Sequence, residues 1–196
     1  MQVNIKEISG NWDFGVVMDK HSKRSIFTGN NQWGYNSFDT ARTEVGEALY
    51  QLKYQSDWNK VGPLAECLYI EAYPLFERVG FIVPMPASTI RPRQPVTDIA
   101  KALAQRANRP CFDKLLINTS LGAADASSKN LHTKQQKVAA LANRFYVNPV
   151  ISKQGCWNVL LIDDIYHTGA SMEAACATLR DYNRVNKIFV AALTWR

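Results

Sequence analysis

Two acids stand side by side at Asp163 and Asp164, directly behind the apolar run Val159-Leu160-Leu161-Ile162. Like charges this close raise each other's proton affinity, so the pair is tolerable where it accepts hydrogen bonds or faces a cation. A ribose ring presents two vicinal hydroxyls, a good match for adjacent acceptors. Thr168-Gly169-Ala170-Ser171 follows and enters a helical pattern. The first amides of a helix have no intrahelical acceptor, a glycine lets backbone approach closely, and two hydroxyls stand beside them; together they cradle an anion such as a phosphate. One stretch thus offers a diol clamp and then a phosphate cradle, which suggests a ribose 5-phosphate. His167, just before the cradle, carries an imidazole that can exchange a proton with an incoming base, or simply packs against the loop.

Other readings of the stretch are weaker. No G-K-[ST] phosphate loop and no G-x-G-x-x-G fingerprint occurs. In receiver domains an acid pair follows the first strand, with most of the domain downstream; here the pair comes late and Thr-Gly follows it directly. The bland alternative is a capped strand-to-helix turn with no ligand.

Around the acids, "WNVLLIDD" reads as a strand, "SMEAACATLRDYN" as a helix and "NKIFVAALT" as a strand. Upstream, "GFIVPMPAS" and "DKLLINTS" read as strands and "PVTDIAKALAQRANRP" as a helix with Thr97 as a cap. "LGAADASSKNLHTK" has no apolar period and predicts a mobile loop before the helix "TKQQKVAALANRF". From Gly80 on, strands and helices alternate and the strands are continuous apolar runs. That predicts an α/β fold: a mostly parallel, doubly wound sheet flanked by helices, with ligands beyond the carboxyl ends of the strands where strand order reverses. "DTARTEVGEALYQLKY" predicts a helix capped by Asp39 or Thr40, with Val45, Leu49 and Leu52 on one face. "GPLAECLYIEAYPLFERV" predicts another, with Pro63 in its first turn and Pro74 kinking or shortening it. Alternation in "FGVVMDKH" and "RSIFTG" predicts two short strands joined by a turn. Residues 1–38 then form a small β-rich hood or association segment, and residues 39–196 the main domain.

Hydrophobic residues make up 46% of the 196 and charged residues 20%, the profile of a globular protein. No apolar run approaches the roughly 20 residues of a membrane span, and the N-terminus lacks a signal-peptide layout, so a cytoplasmic protein is expected. The four cysteines are dispersed without a C-x-x-C pair, which reads as small buried hydrophobes and not as zinc ligands or a disulfide scaffold. The formal net charge of +6 favours anionic partners, either phosphorylated small molecules or nucleic acid.

Four apolar residues, two acids, three variable residues, Thr-Gly and small residues make a stretch that resembles the phosphoribosyl pyrophosphate signature of type I phosphoribosyltransferases. "EALYQLKYQSDW" and "FIVPMPASTIRPR" resemble two segments of the ComF branch of that superfamily, although Arg93-Gln94-Pro95-Val96-Thr97 stands where those relatives usually carry an Arg-Gly-Phe-Asn-Gln-like run. The resemblance implies the type I phosphoribosyltransferase fold and a magnesium-dependent transferase that binds phosphoribosyl pyrophosphate or a ribose 5-phosphate nucleotide. It implies ribose hydroxyls and metal at Asp163 and Asp164, and the 5-phosphate at Thr168, Gly169, Ala170 and Ser171. Pro86, Ala87 and Ser88 would wrap the pyrophosphate. The loop from Leu121 to Thr133 would close over the site, with Lys129 and Lys134 reaching the leaving group, and Lys53 would pair with a phosphate or lie on a solvated helix face. In the hypoxanthine-guanine members an acid near the nucleobase takes the place of His167. The resemblance also leaves open a non-catalytic sensor, a single-stranded nucleic-acid-binding module, and a homodimeric or partner-dependent assembly.

Overall fold

The structure, a computed structural model, describes residues 1–30, 32–119 and 144–196. Its strands are β1 (Lys6–Glu7), β2 (Phe14–Lys20), β3 (Ser22–Asn30), β4 (Asn36–Arg42), β5 (Val79–Pro84), β6 (Leu116–Asn118), β7 (Phe145–Val147), β8 (Trp157–Tyr166) and β9 (Val185–Trp195). The helices are α1 (Glu44–Tyr54), α2 (Val61–Cys67), α3 (Pro95–Ala107) and α4 (Ala170–Arg180).

The central sheet has the order β1-β2-β9-β8-β5. β2, β9, β8 and β5 run parallel, and β1 closes one edge antiparallel. Beyond β5 the chain adds a short parallel bridge: Ile82 N–H donates to the Pro110 carbonyl and Phe112 N–H to that of Ile82, each at 2.9 Å. From β5 the chain moves outward through α3 to this bridge, and it later returns to β8 on the other side of β5. Strand order therefore reverses between β5 and β8.

The apolar runs explain the two layers. Successive strand residues point to opposite faces, so Leu160 and Ile162 pack with Leu49, Leu64 and Leu103 of α1, α2 and α3. Val159 and Leu161 pack with Met172, Ala175 and Leu179 of α4 on the other face. The expected α/β architecture, a mostly parallel sheet with helices on both sides, is the observed one. No helix among the described residues is long and apolar enough to cross a membrane.

Several local expectations are corrected. "FGVVMDKH" and "RSIFTG" form two strands joined at His21, as expected; β2 pairs with β9 in the central sheet, while β3 pairs with β4 in a separate hairpin. The reason is visible in Val16-Val17-Met18: three consecutive residues are buried, which requires cover on both faces, whereas most of β3 is exposed. The N-terminal segment thus contributes a strand to the main sheet. Asp39 and Thr40 lie in β4, and Thr43 caps α1, its Oγ1 accepting from Gly46 N–H at 3.0 Å. Thr97 lies inside α3, which starts at Pro95 with no side-chain cap; the fixed φ of proline suits a first helical position. "DKLLINTS" supplies β6, which pairs with β7 outside the central sheet. As expected of Pro74, α2 and the wide turn Leu68–Ala72 give way to a last tight turn at Tyr73–Leu75. Cys67 and Cys176 are buried small hydrophobes, Cys111 is half-buried and Cys156 is exposed.

Candidate functional site

β8 continues past the acids. Asp163 sits opposite Ala192 and Tyr166 opposite Trp195 in the parallel ladder with β9, so the turn comes after Tyr166 and not at the acid pair. Both acids still border one cleft of about 240 Å³ between the carboxyl ends of β5 and β8, at the reversal of strand order. From β5 the cleft receives Pro86, Ala87 and Ser88, from α1 Lys53, and from α4 Ser171. A smaller hollow of about 120 Å³ shares Asp163 and Ser171 with it and is otherwise formed by Ile165 to Ala170 and Met172.

Each acid is held differently. Asp163 Oδ1 accepts the Asp164 backbone N–H at 2.8 Å. Asp164 Oδ2 accepts Lys53 Nζ at 2.5 Å, with both side chains mostly buried. Burial first, and then the Asp164 charge, push the Asp163 carboxyl up to about 8, while the Asp164 N–H and Lys53 pull it down. Asp163 therefore keeps its proton at neutral pH until a ligand supplies hydrogen-bond donors or positive charge. The ammonium of Lys53 is engaged by an acid of the pair, and the side chain lines the cleft, not a solvated helix face.

The turn into α4 is shaped for a close approach. Gly169 has φ 79°, in the left-handed region that glycine adopts without strain. A side chain there would also press its Cβ to 2.9 Å from the Tyr166 hydroxyl. α4 begins without a side-chain cap, and Thr168 Oγ1 lies a long 3.5 Å from Ala170 N. The first turn of α4 lines the hollow, and the leading amides of a helix have no intrahelical acceptor. Thr168, Gly169 and Ala170 line this hollow, and His167, exposed, stands at its rim.

The opposite wall is tied down from several sides. Asn118 Nδ2 donates to the Ala87 carbonyl at 3.1 Å, and Met85 N–H to the Ile162 carbonyl at 2.7 Å. Gln94 Nε2 donates to the Thr89 carbonyl at 2.9 Å. Arg91 and Arg144 also face the cleft. Arg91 belongs to the "FIVPMPASTIRPR" stretch, whereas sequence reasoning missed Asn118 and Arg144; an Asn at the end of a short strand and an Arg ahead of another carry no spacing signal. Arg93 instead stacks over Trp58 at 4.0 Å and bonds Asp98 with two nitrogens, at 3.0 and 2.5 Å. Lys129 and Lys134, with the loop from Leu121 to Thr133, lie outside the described residues.

Among the described residues no three His, Cys, Asp or Glu side chains cluster as a metal site. The neighbouring Asp163 and Asp164 remain; once Asp163 ionises they supply the one or two carboxylates that suffice for a magnesium ion taking most of its ligands from phosphates and water.

No protein-family model and no curated protein matches the sequence. Among solved structures, the chain is similar to an adenine phosphoribosyltransferase from Thermoanaerobacter pseudethanolicus, at 13% identity over 88% of this chain and 95% of that one, with a TM-score of 0.45. It is similar to an adenine phosphoribosyl transferase from Trypanosoma brucei in complex with AMP, pyrophosphate and ribose-5-phosphate, at 13% identity over 100% and 76%, with a TM-score of 0.46. A UMP synthase of Leishmania donovani matches at 14% identity over 84% of this chain and 27% of that one, with a TM-score of 0.39.

Proposed function

We propose that the joint cleft binds phosphoribosyl pyrophosphate and transfers its phosphoribosyl group to a nitrogen nucleophile, in the manner of a ComF-like type I phosphoribosyltransferase. The observation that carries this reading is the adjacency of two features. An acid pair with one member uncompensated borders a cleft that shares Asp163 and Ser171 with the hollow formed by the glycine turn and the first residues of α4.

The chemistry divides along the cavity. Asp163 and Asp164 accept the ribose hydroxyls, and the Thr168–Ser171 turn takes the 5-phosphate. The Pro86–Ser88 loop, with Arg91 beside it, faces the pyrophosphate. The bond from the anomeric carbon to pyrophosphate breaks as the bond to the acceptor nitrogen forms, and positive charge builds on the ring. The carboxylates stand on the sugar side, where that charge develops. The acceptor's proton leaves to solvent or to His167. Asp163 and Asp164 are also the residues that would hold a magnesium ion delivered with the donor; when bound, that ion neutralises charge on the leaving group.

Isothermal titration with phosphoribosyl pyrophosphate and Mg²⁺ tests the reading. Saturable binding that is lost in Asp164→Ala is expected, and no detectable heat at millimolar donor rejects it. Pyrophosphate release screened across nucleobases and amines then separates a transferase from a donor sensor.

The β3–β4 hairpin favours a second reading. Phe27 and Phe38 stack edge-to-face at 5.6 Å on an exposed ribbon that also bears Trp33, Tyr35, Lys23 and Arg24. Exposed aromatics interleaved with cations suit single-stranded nucleic acid. Salt-dependent oligonucleotide binding that survives Asp164→Ala but falls in Phe27→Ser/Phe38→Ser supports it; binding indifferent to the hairpin substitutions rejects it.

A further inference from the structure

His21 plays no part in the cleft, yet it is buried behind the acid pair at the corner where β2 passes into β3. Its backbone N–H donates to the Trp195 carbonyl at 2.9 Å. Its own carbonyl lies against α1 so closely that a Cβ on Gly46 would stand 2.0 Å from it. Three segments thus converge on this residue: the end of β9, the start of α1 and the β2–β3 corner.

The side chain continues the connection. His21 Nδ1 lies 3.2 Å from the Thr194 hydroxyl, which lies 3.2 Å from the Asp164 carbonyl. Thr194 is wholly buried. A carbonyl can only accept, and a hydroxyl has one proton. That proton goes to Asp164, so the Thr194 oxygen accepts from His21, and Nδ1 carries the hydrogen. Asp164 is then gripped at both ends, its carboxylate by Lys53 and its carbonyl by Thr194.

We propose that His21 is a positioning residue for the acid pair: a neutral imidazole protonated at Nδ1, donating to Thr194, whose hydroxyl holds the main chain of Asp164 in place. This rests on the reading of Asp163 and Asp164 as the ribose clamp. Four charged groups act on the ring, Arg196 beyond β9, Arg42 in β4, Lys53 in α1 and Asp164 in β8. Burial and the three cations hold its proton affinity below the ordinary histidine range against the partial offset of Asp164, which agrees with a neutral ring.

The test uses the full chain and side chains that imitate one ring nitrogen at a time. His21→Asn places an amide N–H near Nδ1, His21→Gln places one near Nε2, and His21→Phe offers neither. Thr194→Val removes the relay hydroxyl and Thr194→Ser keeps it. Affinity for phosphoribosyl pyrophosphate with Mg²⁺ should fall about fivefold in His21→Phe, His21→Gln and Thr194→Val. It should stay near that of the parent in His21→Asn and Thr194→Ser. Thermal unfolding identifies any variant that fails to fold. Nitrogen-15 NMR of the parent decides the relay without any ligand: a protonated Nδ1 and bare Nε2 at about pH 8, above the ordinary histidine range, is expected. The Asp164 carbonyl carbon shift should move in His21→Phe and return in His21→Asn. An Nε2-protonated ring, or folded His21→Phe binding donor as well as the parent, overturns the proposal. If the parent binds no donor, the proposed function fails, while the tautomer and the carbonyl shift still uphold or reject the relay.

Discussion

Asp163→Asn tests the electrostatics of the site directly. In the unfolded chain the Asp163 carboxyl titrates near 3.8, and in the folded chain its proton affinity is raised to about 8. Below the lower value both states are protonated and the group leaves stability unchanged. Between the two, the folded state binds the extra proton, so stability falls as pH rises, and the loss is complete above the folded value. Each tenfold change in proton affinity corresponds to about 1.4 kcal/mol, but Asp163 lines an open cleft and solvent screens much of that. A net cost of about 2 kcal/mol at pH 8, the range for an uncompensated buried polar group, is the reasonable expectation. Asparagine is nearly isosteric, keeps an oxygen for the Asp164 N–H, and removes the titration. Parent and variant should therefore unfold at similar temperatures near pH 4. By pH 8 the variant should be higher by about 4–8 °C, given the size of the chain. Circular dichroism melts across that interval measure the difference, and other titrating groups cancel between the two proteins. A difference that is flat with pH, or larger on the acid side, refutes the assignment. The donor supplies a second check. If binding ionises Asp163, calorimetry near pH 7 in buffers of different ionisation enthalpy should register proton release by the parent and none from that position in the variant.

Lys53→Met should destabilise the fold by about 1–3 kcal/mol in urea melts, because Asp164 loses its mostly buried partner. The double variant Lys53→Met/Asp164→Asn should cost less than the sum of its singles, and simple additivity would mean the pair is not coupled. Gly169→Ala should lower stability by about 1–2 kcal/mol and weaken donor binding, since φ 79° strains any L side chain there; unchanged affinity would show that the turn does not meet the ligand. Deleting residues 1–38 should abolish folding, seen as loss of soluble protein or of a cooperative melt, because it removes β2 and exposes the β9 edge. A soluble, cooperatively melting fragment would contradict the sheet order.

The architecture was legible because burial writes itself into apolar runs. Val159 to Ile162 and the repeated strand–helix alternation specify a covered parallel sheet, and the acid pair at the end of such a run borders the cleft. What escaped was register and partner choice. Val16-Val17-Met18 is as apolar as a core strand, but nothing local says that its neighbour is β9, at the far end of the chain. The pairing of Val16 with Ala191 appears only in three dimensions.

The site residues follow the same division. Asp163, Asp164 and the Thr168–Ser171 turn announce themselves by chemistry and spacing, whereas Lys53, Asn118 and Thr194 matter only through contacts across the fold. Lys53 shares α1 with Leu49 and Leu52, so its sequence context reads as the edge of an amphipathic face. Its role appears once α1 is laid across the sheet and the ammonium meets Asp164. The cap of α1 was misplaced for a related reason. Asp39 and Thr40 are acceptable caps by type, but the hairpin claims them, and the helix starts where Thr43 can also donate to the Lys20 carbonyl at 2.6 Å.

The supports of the acid pair come from far apart in the chain, and this has an energetic logic. Two adjacent carboxylates near the carboxyl end of a strand repel each other, and a strand end free to move would relieve the repulsion by turning one of them to solvent. Here β8 stays in register with β9 through Tyr166, Lys53 neutralises Asp164, and Thr194 holds its carbonyl. The repulsion is left to Asp163, which answers by keeping its proton. A ligand that brings hydroxyl donors, or phosphates with a cation, to this one carboxyl relieves a cost already built into the fold. Under the proposed function the entering group must both donate hydrogen bonds and carry positive charge, and a sugar phosphate accompanied by its cation does both.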